Sequence, residues 1–173
     1  MVASLYKCIE SSFAITLQPS ENEIVLWDGF DTPAKEDAVR FFSGKSCLDV
    51  LMHLQNLEHE PVHNAAYYLE EWSVLTPDAM RYYLRSYLWF LVETLSGNNL
   101  NEHYISSFLS ELQQVMSIYK TSAFTPQQLT TLENIIKQLS EEAKLPERFG
   151  YFAQDIKNNA TQLLESLEAA RCT

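Results

Sequence analysis

The segment from Leu75 to Leu95 constrains the fold of this chain most, because it is apolar on most of the circumference of one predicted helix. Thr76 is placed to accept a hydrogen bond from a free N–H group of the first turn, and Pro77 stands where a missing N–H costs nothing. A helix that is apolar nearly all round has to be buried nearly all round. The sequence therefore predicts that residues 77–95 form a central helix around which the other elements pack.

Apolar residues recur at helical spacing on both sides of this segment, and no stretch shows sustained alternation of period two. The predicted helices before the central one are short, and those after it are long. The acidic stretch 20–32 is predicted to be irregular, with a short extended piece at 24–27 that cannot make a sheet alone. Residues 1–173 are thus predicted to form one all-α domain of about six to eight helices, which is not a simple four-helix bundle.

Two capping boxes mark predicted helix starts on either side of the central helix. Ser46 is followed three residues later by Asp49, and Thr125 is followed at the same spacing by Gln128. In such a box, each of the two side chains satisfies a backbone N–H group that the helix leaves free. We therefore expect one helix to begin just after Ser46 and another just after Thr125.

The chain has 12 basic and 23 acidic residues, which gives a formal net charge of -11. That charge repels phosphate backbones, so no nucleic-acid partner is expected, and it favours attraction to a basic protein. A solvated acidic surface with no partner is the alternative. Three cysteines without metal-like spacing indicate reduced thiols, and the longest wholly apolar run, 87–92, is too short to cross a bilayer. We expect a cytoplasmic protein with no cofactor and no membrane partner.

In the stretch 20–32, acidic side chains surround two aromatic ones, and no basic residue occurs. Aromatic anchors rimmed by carboxylates are typical of a docking surface for a basic protein. The alternative is a loop whose aromatic rings fill the core of the domain. We predict a partner-binding site formed by Glu21, Glu23, Trp27, Asp28, Phe30 and Asp31.

His59, Glu60 and His63 match the H-E-x-x-H pattern of zinc peptidases, in which both imidazoles lie on one face of a helix. Pro61 interrupts that helix, so the two imidazoles are not expected to lie one turn apart. No other group of residues has the spacing of a catalytic set. We therefore expect neither an enzyme nor a metal site. The alternative is a metal-dependent or small-ligand-binding enzyme that uses His53, His59, His63 or Cys47.

The predicted central helix carries one polar stripe, with residues at steps of three and four. As a recognition ridge it would present Arg85 stacked on Trp89 to a partner. As an internal stripe it would pair its arginines with carboxylates on neighbouring helices, and this second interpretation is favoured for a buried helix. The stripe consists of Asp78, Arg81, Arg85, Trp89 and Glu93.

Four motifs together resemble a bacterial domain family of unknown function. They are Leu-Trp-Asp-Gly-Phe at 26–30, Arg-Phe-Phe-Ser-Gly-Lys at 40–45, the run from Leu-Thr-Pro to Arg-Tyr-Tyr-Leu at 75–84, and Phe-Thr-Pro-Gln-Gln at 124–128. The family pattern has proline where this chain has Arg85, and often tryptophan after the Gly-Lys element, where this chain has Ser-Cys. The family has no established reaction, so the resemblance supplies no site residues.

Small acidic bacterial proteins of this sort resemble, by analogy, immunity proteins of interbacterial toxin systems. The expected function is therefore that of a non-enzymatic protein-binding module, an immunity protein or antitoxin that neutralises a cognate toxin with a basic surface. The alternative is a structural subunit of a larger assembly or a homodimer, with an interface of tyrosines that includes Tyr67, Tyr68 and Tyr87.

Overall fold

The computed structural model describes residues 2–14, 17–26, 32–56, 72, 74–96, 102–119, 123–142, 149 and 152–171. Within these ranges the chain forms helices and contains no β-strand, which confirms the predicted all-α class. The helices are α1 (Val2–Ser12), α2 (Glu21–Ile24), α3 (Thr32–Phe42), α4 (Cys47–Asn56), α5 (Pro77–Ser96), α6 (Glu102–Tyr119), α7 (Pro126–Glu142) and α8 (Ala153–Arg171).

Helix α5 is the predicted central helix, and its bounds lie within one residue of the predicted range 77–95. Every side chain from Ala79 to Leu95 is buried except those of Arg81, Trp89 and Glu93, which are partly exposed. Helices α1, α2 and α4 all pack against α5. The apolar circumference read from the sequence is therefore buried beneath its neighbours, as the absence of a polar face requires.

The long helices of the second half form a packed group of their own. Helix α8 packs against both α6 and α7, and α1 joins this group to the rest by packing against α5 and α7. Helix α6 meets the central helix through Tyr104, whose hydroxyl donates to the carbonyl oxygen of Tyr87 at 3.2 Å. The Tyr104 ring also lies edge-on to Phe90, with centroids 4.6 Å apart. Two such groups joined through α1 and α5 confirm that the fold is not a simple bundle.

The capping boxes at the starts of α4 and α7 are present as predicted. The carboxylate of Asp49 accepts hydrogen bonds from the N–H and Oγ of Ser46, at 2.8 and 2.6 Å. At the other start, the N–H of Thr125 donates to Gln128 Oε1 at 2.9 Å, and the N–H of Gln128 donates back to Thr125 Oγ1 at 3.2 Å. These bonds fix the first residue of each helix.

The prediction that the stretch 20–32 is irregular is wrong at its beginning, where α2 forms. The carboxylate of Glu23 accepts hydrogen bonds from the N–H and Oγ of Ser20, at 2.9 and 2.7 Å, in a third capping box. The expected extended piece is found at Val25, which forms an isolated antiparallel bridge with Leu75. Residues 21–24 thus form one helical turn, and the chain is extended at Val25.

Candidate partner-binding surface

Thr76 holds helix α2 at the N-terminal end of α5 through two hydrogen bonds, next to the bridge between Val25 and Leu75. The N–H of Thr76 donates to the carbonyl oxygen of Ile24 at 2.9 Å, and its Oγ1 donates to the carbonyl oxygen of Glu23 at 2.6 Å. The same Oγ1 accepts a hydrogen bond from the N–H of Ala79 at 3.1 Å and so caps α5. The start of the central helix and the position of α2 therefore depend on the same side chain.

Exposed charged and apolar side chains follow one another along residues 17–26. Ile24 is fully buried, whereas Glu21 and Glu23 are exposed. Leu17 precedes the helix and is 95% exposed, and Leu26 follows it and is 50% exposed. We call Leu17, Glu21, Glu23 and Leu26 the acidic α2 surface. Large apolar side chains left in water beside fixed charges are typical of a docking surface.

Hydrogen bonding keeps one of these carboxylates charged over a wide pH range. The hydroxyl of Ser20, and then its N–H, lower the pKa of Glu23 below its ordinary value, because both donors favour the ionised form. At neutral pH Glu23 is therefore ionised. The same bonds restrict the rotamer of Glu23, so less side-chain entropy is lost when a partner binds.

The structure places two of the six predicted binding residues, Glu21 and Glu23, on this exposed surface. The two leucines were not predicted, because no sequence pattern separates an exposed leucine from one that faces the core. The other four predicted residues lie outside the described residues. Their position on a docking surface, and not in the core, therefore stays a prediction. These are Trp27, Asp28, Phe30 and Asp31.

The polar stripe on α5 is used within the molecule. Arg81 pairs with Asp78 on its own helix and donates to the carbonyl oxygen of Ala123 at 2.9 Å. Arg85 donates to the carbonyl oxygen of Phe13 at 3.2 Å. The internal interpretation is thus confirmed for these two arginines. Within the described ranges neither arginine pairs with a carboxylate on a neighbouring helix, so the expected carboxylate partners stay a prediction.

Cys47 is a structural thiol. It is 3% exposed, and its Sγ donates to the carbonyl oxygen of Tyr82 at 3.0 Å. Burial raises the pKa of Cys47, because the thiolate would lose its hydration. The position of Cys47 at the start of α4 therefore does not activate its thiol. Its own carbonyl oxygen accepts a hydrogen bond from Ser86 Oγ at 2.6 Å. Both bonds tie α4 to α5.

Two of the four residues of the alternative enzyme site lie outside the described part of the chain, whereas His53 and Cys47 lie on α4. His59 and His63 lie outside it, as do Tyr67 and Tyr68 of the alternative oligomer interface. Within the described ranges, no three His, Cys, Asp or Glu side chains are grouped so that they could hold a metal ion. The helices described there also include none with the length and apolar content needed to cross a membrane.

No family model, curated protein or solved structure matches the chain. The resemblance to the bacterial domain family therefore stays a prediction. Its most specific motif, at 75–84, contains both the cap of α5 and the anchor of α2, so the structure gives that motif a local architectural role.

Proposed function

We propose that this protein is a non-enzymatic binding module, an immunity protein that binds and neutralises a cognate toxin with a basic surface. The acidic α2 surface is the observation that carries the proposal. It combines the exposed carboxylates of Glu21 and Glu23 with the exposed side chains of Leu17 and Leu26. The formal net charge of -11 adds a long-range attraction toward a positively charged partner.

Each part of this surface has a distinct task in binding. The carboxylates accelerate the encounter and orient the partner, and this effect weakens as salt rises. The leucines supply apolar area that leaves water when the partner docks. The hydrogen bonds of Thr76 hold the backbone of α2 before binding, which reduces the entropy lost on association.

The proposal is tested by capturing the partner and then measuring charge variants. The tagged protein, cross-linked in its native host, should yield one protein in a one-to-one complex, and that protein should have a basic surface. With this partner purified, Glu21→Gln with Glu23→Gln should lower the association rate at low salt by about 5- to 10-fold. Glutamine keeps the capping box of α2, so the fold is expected to be unchanged.

A matched control separates this surface from the total charge. Glu165→Gln with Glu168→Gln removes the same charge from two exposed carboxylates on α8, a helix that packs on α6 and α7. This pair should change the association rate less than 2-fold or so. An equal loss of association rate in both double variants would show that only net charge matters. The absence of any stoichiometric partner would refute the proposed function.

A further inference from the structure

Arg85 is a buried cation near the middle of α5, with 8% of its surface exposed. Its Nη1 donates to the carbonyl oxygen of Phe13, directly after the end of α1. Its Cζ lies 4.3 Å from the ring centroid of Trp89, so the two side chains stack, as the recognition-ridge interpretation supposed. The guanidinium is thus held between the end of α1 and the face of a partly exposed indole.

Two N–H groups in this stack have no acceptor within the described part of the chain. They are Nε of Arg85 and Nε1 of Trp89, both fully buried. Nη1 is the one nitrogen of Arg85 that donates a hydrogen bond to a described residue. The edge formed by Nε and Nη2 is therefore not engaged by these residues. That edge of a guanidinium matches two oxygens of a carboxylate or a phosphate.

The charge of Arg85 is also uncompensated among the described residues. Their ion pairs involve Arg40, Arg81 and Lys137, and none includes Arg85. A guanidinium keeps its proton, so burial cannot be relieved by neutralisation. One carbonyl dipole and one aromatic face offset only part of the cost of burying a charge. An anion on the Nε–Nη2 edge would supply both the missing charge and the missing acceptors.

We propose that Arg85 and Trp89 form a binding site for a small oxyanion, such as inorganic phosphate or a carboxylate. Two oxygens of the anion accept from Nε and Nη2 of Arg85, and Nε1 of Trp89 is a further donor. Arg85 lies about 12 Å along α5 from Pro77, so the site is separate from the acidic α2 surface and does not depend on the proposed function.

The test compares thermal unfolding in sodium phosphate and in sodium chloride at equal ionic strength and neutral pH. A bound anion stabilises the folded state by mass action. At about a hundredfold excess over Kd, the wild-type midpoint should be about 5 to 10 °C higher in phosphate than in chloride. Chloride offers one acceptor centre where an oxyanion offers two oxygens matched to the edge, so it is expected to bind there more weakly than phosphate. Phosphate also stabilises proteins by exclusion from their surfaces, so each variant has to be compared with its own chloride value.

In Arg85→Met, the rise of the unfolding midpoint from chloride to phosphate (the phosphate increment) should shrink to the part that exclusion causes. Arg85→Lys keeps the charge but not the planar fork, so it should lose most of the part due to binding. Arg40→Met is the matched control, since the Arg40 side chain is 75% exposed, and it should keep the wild-type increment. An equal increment in wild type, Arg85→Met and Arg40→Met would overturn the proposal and identify a general salt effect.

A second readout does not depend on the stability of the Arg85 variants. Phosphate should produce a saturable change in tryptophan emission in the wild type, because the anion contacts an indole N–H. Trp89→Phe keeps an aromatic face for Arg85 but removes both that N–H and the reporting indole. It should lose the saturable change, and calorimetry, which needs no indole, should show weaker binding of phosphate. No saturable emission change in the wild type, or the same change in Trp89→Phe, would overturn the assignment.

Discussion

Replacing Thr76 by alanine tests whether one side chain both starts the central helix and holds α2. Thr76 Oγ1 accepts from the N–H of Ala79 at 3.1 Å and donates to the carbonyl oxygen of Glu23 at 2.6 Å. Loss of an N-cap costs about 1 kcal/mol, and loss of a further hydrogen bond costs about as much again. The free energy of unfolding should therefore fall by about 2 kcal/mol, which lowers Tm by about 4 to 8 °C in a chain of this size.

Urea unfolding followed by far-ultraviolet circular dichroism measures this loss. The midpoint concentration should fall while the slope m stays unchanged, since the surface exposed on unfolding is the same. Thr76→Ser is the matched control, because its hydroxyl can make both bonds, and it should remain within about 0.5 kcal/mol of the wild type. A stable alanine variant, or a serine variant as weak as the alanine one, would refute the dual role of Thr76.

Three further predictions concern acid stability, thiol reactivity and the core. Hydrogen bonds from the capping serines, hydroxyl first and then N–H, lower the pKa values of Glu23 and Asp49, so each carboxylate contributes stability above its unfolded pKa. That stability should be lost as the pH falls below about 4.5 through the lowered folded pKa values, which urea unfolding at several pH values would detect. Cys47, whose pKa burial raises, should be alkylated at least about 10-fold more slowly than the partly exposed Cys8 in peptide mass mapping at mildly alkaline pH. Phe108→Ala should cost about 3 to 5 kcal/mol in urea unfolding because its ring is fully buried, and Phe108→Leu should cost less than half of that.

The sequence located the central helix because several local signals agreed there. A Thr-Pro start, a long apolar run and the absence of interior glycine all favour one helix, so its bounds were predicted within one residue. The same spacing that revealed the cap at Ser46 was present at Ser20, where the acidic composition suggested an irregular segment instead. There the local capping signal was the better guide, because a capping box needs only the serine and Glu23.

The acceptor of Arg85 and the exposure of Leu17 and Leu26 could not be predicted in the same way. Arg85 donates to a carbonyl oxygen 72 residues away in sequence, and a backbone acceptor leaves no residue type to recognise. The exposure of a leucine depends on which side of the segment α5 covers, which tertiary packing decides. The acidic half of the binding surface could therefore be predicted, but its apolar half and the backbone acceptor of Arg85 could not.

The stoichiometry of inhibition tests the central claim, that this protein acts by binding and not by catalysis. The captured partner's activity would be titrated with purified protein. A binding module should abolish that activity at one molar equivalent, and the activity should return when high salt dissociates the complex. Complete and irreversible inactivation by an amount far below one equivalent would instead show turnover, and would contradict a non-enzymatic immunity protein.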